Sequence, residues 1–326
     1  MDNAAITRFL HSRGGATLAI LIMLAGTWFD YHAGQVTYIP GDKGFALPSA
    51  NDWISSPLTE MIVNLVITGV IIVMSVYINR AFNVLRAMTQ LYVVFFAFFE
   101  LSTPNLLAQL TTSTVLCVVV MACMILLYSC YGDNRRIRRI FLIFFFLSAA
   151  AASQYAFVVY IPLFLLGCAQ MKIMNLRTIG AALLGIMTPW WILLGFGLVS
   201  PADLHIPKVV SIFDAIDLNE AIALVVTVGV TVLLTLSAYM LTLLKSMTYN
   251  AKSRSFGSFI AIMTALTIVA MVVDYTNITA YVTLLNFCAA YQLSHFFLLH
   301  KSEKSYIAIT TILAVYFVLY LWRTII

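Results

Sequence analysis

Long apolar runs separated by short polar connections recur along the whole chain, and they constrain its fold more than any other feature. A run of about 20 apolar residues can cross the roughly 30 Å hydrocarbon core of a bilayer as a helix. The sequence therefore predicts an all-α, polytopic transmembrane helix bundle. It contains eleven predicted spans, at residues 15–29, 58–78, 87–101, 110–131, 140–153, 155–169, 178–199, 218–244, 256–273, 277–299 and 305–322.

The composition excludes an ordinary water-soluble protein. Hydrophobic residues make up 62% of the chain and charged residues 10%, against roughly 45 to 50% and about 25% in a typical soluble domain. So few charges cannot cover the surface of a soluble protein of this length. We therefore expect one integral membrane domain over residues 1–326, with membrane lipid as its surroundings. The basic residues form no continuous patch, so a nucleic-acid partner is not expected.

The distribution of lysine and arginine predicts the orientation of the spans. If the N-terminus is inside, 15 of the 18 basic residues fall in connections on the inner side. Lysine and arginine are enriched in the loops that stay in the cytoplasm. The eleven-span topology therefore has its N-terminus inside and its C-terminus outside.

Residues 140–169 have basic clusters on both sides, so they must cross the membrane twice or not at all. Two crossings give arms of 14 or 15 residues, which are about 21 to 23 Å long at 1.5 Å per residue. This predicts a short helical hairpin, and whether it crosses fully or is re-entrant is left open. Non-helical backbone at membrane depth must be buried by protein or face a wet cavity. Gln154 and Tyr155, at the tip, are therefore predicted cavity residues.

Three polar segments outside the spans have separate interpretations. Residues 30–56 form the longest outer loop, and residues 200–217 show helical spacing of apolar residues that is typical of an interfacial helix. The inner run 132–139 concentrates four arginines beside a membrane boundary, where each basic residue attracts anionic headgroups by about 1 kcal/mol. Its predicted lipid-binding residues are Arg135, Arg136, Arg138 and Arg139. The polar link at residues 249–255 gives no functional signal.

Acidic residues near the outer ends of spans are the candidates for chemistry. Asp30 ends the first span, and Asp52 and Glu60 follow where the chain returns to the membrane. If the three converge, their carboxylates could hold a divalent cation on a diphosphate or accept a proton from a sugar hydroxyl. The alternative is that they are solvated helix ends. The sequence contains no nucleotide loop, hydrolase nucleophile or metal-ligand motif, so no cofactor is identified and the identity of any metal is open.

One segment resembles a known family. Residues 134–191, NRRIRRIFLIFFFLSAAAASQYAFVVYIPLFLLGCAQMKIMNLRTIGAALLGIMTPWW, combine a basic start, a short hairpin, a basic return and a helix with Pro-Trp. This pattern resembles the membrane core of GT-C glycosyltransferases, and it is also similar to uncharacterised bacterial multi-pass inner-membrane proteins. The resemblance implies transfer of sugars from polyprenyl-phosphate carriers at the outer face, with Asp30 as the carboxylate of the first outer loop. The chain departs from that pattern at the hairpin tip, where Gln154 and Tyr155 replace a common basic residue.

Together these features give a leading hypothesis and two alternatives. The leading hypothesis is a bacterial inner-membrane protein that acts on or beside a polyprenyl-linked glycan or lipid in envelope biogenesis. One alternative is a transporter or lipid flippase with a polar route lined by Gln154 and Tyr155. The other is a non-catalytic subunit or scaffold bound to a protein partner. Whether any reaction is catalysed, and on which substrate, is left open by the sequence.

Overall fold

The computed structural model describes residues 3–34, 36, 44–133, 135–204, 211, 213, 216, 218–246, 250–300 and 305–325, and its regular secondary structure is helical. The α-helices are α1 (Asn3–Leu10), α2 (Arg13–His32), α3 (Pro57–Phe82), α4 (Leu91–Leu101), α5 (Pro104–Ala108), α6 (Thr112–Tyr128), α7 (Ile137–Ala151), α8 (Tyr160–Gln170), α9 (Leu176–Gly195), α10 (Leu218–Ser246), α11 (Ala251–Val273), α12 (Val282–Leu299) and α13 (Ser305–Ile325). Short 3-10 turns lie at Ala50–Asp52, Tyr155–Val159, Pro201–Asp203 and Tyr275–Tyr281.

Seven helices in the described parts of the chain are long and apolar enough to cross a membrane: α2, α3, α9, α10, α11, α12 with its preceding turn, and α13. The other four predicted spans lie on the shorter helices α4, α6, α7 and α8. The 11 residues of α4 extend about 16 Å, roughly half of the hydrocarbon core. The structure therefore supports a bundle of membrane-spanning helices. The count of eleven crossings and the orientation of the termini stay predictions.

The centre of the bundle is formed by α4 and α12. Apart from Phe98, every side chain of α4 is buried. In the most apolar 18-residue stretch of the segment Tyr275–Leu299, which contains α12, 72% of the residues are buried, against 22 to 44% in the corresponding stretches of the other six long helices. Helix α12 packs against α4, α10 and α11. A helix that is hydrophobic on all sides is typical of a core position, so these two helices are surrounded by protein, and the other long helices expose apolar side chains at the outside of the bundle.

Helices α7 and α8 lie on the two arms of the predicted hairpin, are joined through the 3-10 turn Tyr155–Val159 and pack against each other. Whether they form a hairpin in the membrane stays a prediction. Helix α7 also packs along α9. Gly185 allows this close approach, because a Cβ atom there would lie 2.6 Å from the carbonyl oxygen of Phe141. Small residues at helix contacts let two backbones come together in a membrane. The hairpin and α9 therefore form one packed unit.

The tip of the hairpin is covered by the end of the outer loop. The backbone N–H groups of Ala46 and Leu47 each donate a 3.0 Å hydrogen bond to the carbonyl of Ala152. A Cβ atom at Gly44 would overlap the backbone of Ser153. Gln154 is 2% exposed. The non-helical tip is thus buried by protein, as backbone at membrane depth requires.

Two predicted loop segments differ from the structure or lie largely outside it. Helix α2 continues to His32, so the outer loop predicted to begin at residue 30 begins after that helix. Asp30 therefore belongs to the last helical turn. Most of the predicted interfacial segment 200–217 lies outside the described residues, and its interfacial position stays a prediction.

Candidate functional site

Asp30 is a buried carboxylate between the second and the last helix. Its side chain is 1% exposed, and the hydroxyl of Tyr320 on α13 donates a 3.1 Å hydrogen bond to its Oδ1. Arg323, one turn further along α13, interacts electrostatically with Asp30 and with Glu220 at the start of α10. The Oδ2 of Asp30 and the Nη1 of Arg323 are buried without hydrogen-bond partners. These contacts indicate that Asp30 joins α2 to α13, and its predicted catalytic role stays a prediction.

Glu60 and Asp52 interact with each other near the start of α3. Glu60 is buried in the first turn of α3, and its Oε1 accepts a 3.1 Å hydrogen bond from the backbone N–H of Leu110. One turn further, Asn64 donates to two backbone carbonyls of α5, at 2.7 and 2.8 Å. Asp52 is exposed and interacts electrostatically with Glu60. The structure therefore brings together two of the three predicted carboxylates, and it gives Glu60 a role in holding the chain between α5 and α6.

Substitutions at Asp30 should separate its structural role from a catalytic one. We expect Asp30→Asn to lose less stability than Asp30→Leu, because an amide oxygen still accepts the hydrogen bond from Tyr320 although the electrostatic interaction with Arg323 is lost. Asp30→Leu should lose about 1 to 3 kcal/mol, since it leaves buried polar groups without a partner. Thermal unfolding in detergent measures both changes. If Asp30→Asn inserts normally and keeps full activity in a glycan-transfer or complementation assay, Asp30 is neither a base nor a metal ligand.

The four arginines of the run 132–139, which ends in the first turn of α7, fall into two groups. Arg136 forms a 2.8 Å salt bridge with Asp133 and donates to the backbone carbonyl of Ser129. The backbone N–H of Arg135 also donates to Asp133, at 3.0 Å. These hydrogen bonds lower the pKa of the exposed Asp133 carboxyl. Arg136 thus holds the turn between α6 and α7.

The other arginines of this run have side chains that can reach lipid. Arg135 and Arg138 are exposed, and Arg139 is half-buried. The accessibility of these side chains is compatible with binding of anionic headgroups. No contact in the structure tests that binding, so it stays a prediction.

The hairpin tip forms a hydrogen-bonded cluster around Asp274. The hydroxyls of Tyr155 and Tyr281 donate to Asp274 Oδ2 at 2.7 and 3.0 Å. The amide of Asn277 donates to the Tyr155 oxygen at 3.0 Å. Tyr155 thus ties the hairpin to the connection between α11 and α12. Sequence reasoning did not find Asp274 or Asn277 as its partners, because they lie about 120 residues further along the chain.

A cavity of about 470 Å³ lies elsewhere, where five segments of the chain meet. It is bordered by the turn after α3, the end of α8, the second half of α10, the first turns of α11 and the end of α12. Its polar lining residues are Gln170, Tyr239, Thr242, Ser253, Arg254, Ser255, Ser258, Tyr291, Gln292 and His295. Its other lining residues are Val84, Leu85, Leu243, Gly257, Ile260 and Ala261. The cavity therefore offers hydrogen-bonding groups and an apolar wall side by side.

The position of the cavity agrees with the charge pattern of the sequence. Its five segments border the connections that carry Arg80 and Arg86, Lys172, Lys252 and Lys301. These connections are the ones predicted to lie on the inner side. The lining does not include Gln154 or Tyr155, so it is distinct from the polar route predicted for a transporter.

Among the described residues, no group of three or more His, Cys, Asp and Glu side chains could hold a metal ion. Comparison with known protein families, with curated proteins and with solved structures finds no match for this chain. A function must therefore be argued from the residues and their geometry.

Proposed function

We propose that the protein acts on or beside a polyprenyl-linked glycan or lipid in envelope biogenesis, in the inner membrane of a bacterium. The observation that carries this proposal is the cavity, with its polar and apolar lining. Its volume of about 470 Å³ falls within the roughly 300 to 1,000 Å³ that is typical of small-molecule sites. It is large enough for a headgroup and the first part of a long chain.

The chemistry of the lining favours an amphipathic ligand. Arg254 and three serines of the first turns of α11 lie on one part of the lining, and Val84, Leu85 and Ile260 supply apolar surface. A soluble sugar would leave that apolar surface without a partner, and a pure hydrocarbon would leave the polar groups without one. A lipid with a polar headgroup satisfies both.

The hairpin adds support from the helix layout. The short arms α7 and α8 and the adjacent helix α9 occupy the segment whose sequence resembles GT-C glycosyltransferases. If the protein is an enzyme of that kind, Asp30, Asp52 and Glu60 are its candidate catalytic residues, and a polyprenyl-phosphate carrier is its lipid substrate. These carboxylates are predicted to lie on the outer side and the cavity on the inner side, so the cavity would hold a lipid apart from the site of reaction.

Native mass spectrometry of the purified protein tests the proposal with a cavity-blocking variant. Gly257 lines the cavity, and a Cβ atom there meets no heavy atom within 4 Å. We expect the wild-type protein to retain a polyprenyl phosphate, and Gly257→Phe to lose it because the ring occupies the mouth of the cavity.

Gly180→Phe on α9 is the matched control, because Gly180 also has open space around its Cβ position and does not line the cavity. It should retain the lipid. Retention of bulk phospholipid alone by the wild-type protein would contradict the proposal and favour a scaffold.

A further inference from the structure

The charge of the cavity lining points to one class of headgroup. Arg254 is exposed in the first turns of α11 and contributes a permanent positive charge to the lining. No aspartate or glutamate is among the lining residues that the structure describes. The neighbouring Lys252 lies 6.0 Å from the ring centre of Tyr131 and 5.8 Å from that of Phe256. The Lys252 charge is therefore near aromatic rings, and Arg254 is the permanent cation among the lining residues that the structure describes.

We propose that the cavity binds the phosphate of a lipid headgroup, with Arg254 as the residue that recognises it. This inference rests on the proposed function, and it adds the chemical class of the ligand. A guanidinium can donate two parallel hydrogen bonds to a phosphate, which gives both affinity and geometric specificity.

Hydroxyl groups beside Arg254 supply further donors. Ser253, Ser255 and Ser258 line the cavity from the same helix as Arg254. The Ser255 hydroxyl donates a 2.9 Å hydrogen bond to the carbonyl oxygen of Ala251, so it is not counted as a donor to the ligand. The oxygen of Ser258 accepts a 3.4 Å hydrogen bond from the amide of Gln170, so its own proton is left to donate to a ligand. A phosphate bound in the cavity would thus contact both the positive charge of Arg254 and the neutral hydroxyl donor of Ser258.

The apolar residues of the lining fit the hydrocarbon chain of the lipid. Val84 and Leu85 follow α3, and Leu243, Ile260 and Ala261 come from α10 and α11. Burial of apolar surface contributes about 25 cal/mol per Å². The hydrocarbon chain of the lipid therefore adds affinity that an inorganic phosphate ion lacks. A lipid phosphate should bind more tightly than free phosphate, and this difference in affinity distinguishes the two sources of the ligand.

Titration of the full-length protein in detergent with a polyprenyl phosphate and with the matching polyprenol tests this inference. The two ligands share a chain and differ in the phosphate. We expect the wild-type protein to bind the phosphate at least roughly tenfold more tightly, as a charge-assisted hydrogen bond implies. Arg254→Gln should remove this preference while leaving polyprenol binding unchanged, and Arg254→Lys should keep part of it. Arg177→Gln, an exposed arginine of α9 that does not line the cavity, should keep all of it.

The outcomes separate this inference from the proposed function. Equal binding of both lipids by the wild-type protein, or an unchanged preference in Arg254→Gln, would overturn the role of Arg254 while leaving a lipid cavity in place. Displacement of the lipid by inorganic phosphate at the same concentration would show that free phosphate is the ligand, and would overturn the lipid headgroup. If neither lipid binds, the proposed function itself fails.

Discussion

Replacing Gly185 with leucine should destabilise the protein by about 1 to 3 kcal/mol, the usual cost of forcing extra atoms into a packed contact. A Cβ atom at this position lies 2.6 Å from the carbonyl oxygen of Phe141 and 3.0 Å from the Cβ atom of Phe144. Helices α7 and α9 must therefore move apart to admit the side chain. A lower apparent melting temperature in detergent is the expected measurement.

Gly180 provides the control on the same helix. A Cβ atom there meets no heavy atom within 4 Å, so Gly180→Leu should be neutral or stabilising by up to about 1 kcal/mol, because glycine is a poor residue inside helices. Gly185→Ala should also lower the melting temperature. If the leucine variant does not accumulate in the membrane, the alanine variant can be measured in its place. Equal melting temperatures for the two leucine variants would show that α7 and α9 are not in close contact.

Loss of either partner in the buried pair Glu100 and Asn286 should cost about 1 to 3 kcal/mol or more. Glu100 on α4 is 1% exposed and Asn286 on α12 is 3% exposed. The amide of Asn286 donates a 3.1 Å hydrogen bond to Glu100 Oε1. Asn286→Leu leaves the carboxyl without this donor inside the core, and Glu100→Met leaves the amide without its acceptor. Thermal unfolding of each variant measures the loss.

The double variant Glu100→Met with Asn286→Leu distinguishes the hydrogen bond from simple packing damage. Replacing both partners by apolar groups of similar size can be nearly neutral, because no buried polar group is left over. We therefore expect the double variant to be more stable than Asn286→Leu alone. Additive losses would mean that the two side chains do not interact.

The positions of the helices could be predicted from the sequence because membrane helices are marked by apolar runs. All eleven predicted runs lie on helices. The start of α4 was less accurate, since the predicted span begins at residue 87 and the helix begins at Leu91. The side chain of Asn79 organises this turn, accepting from the N–H of Leu85 and donating to the carbonyl of Ala87. Such a local side-chain contact leaves no mark in hydropathy.

The cavity could not be predicted, because its lining comes from five segments that are far apart in the sequence. The sequence of the polar link at residues 249–255 gave no indication of function, yet Ser253, Arg254 and Ser255 line the cavity. Gln292 and His295 were visible only as isolated polar residues in a span. Periodicity identifies which face of one helix is apolar, but it does not identify which helix ends meet.

The shortness of α4 has a consequence for biosynthesis. An 11-residue helix cannot reach across the bilayer, and α12, which packs against it, begins at Val282 and is synthesised long after α4 ends at Leu101. Until α12 has been made, the nascent chain must hold α4 without this cover. We therefore expect truncated chains that end before α12 to stay bound to the insertion machinery or to be degraded.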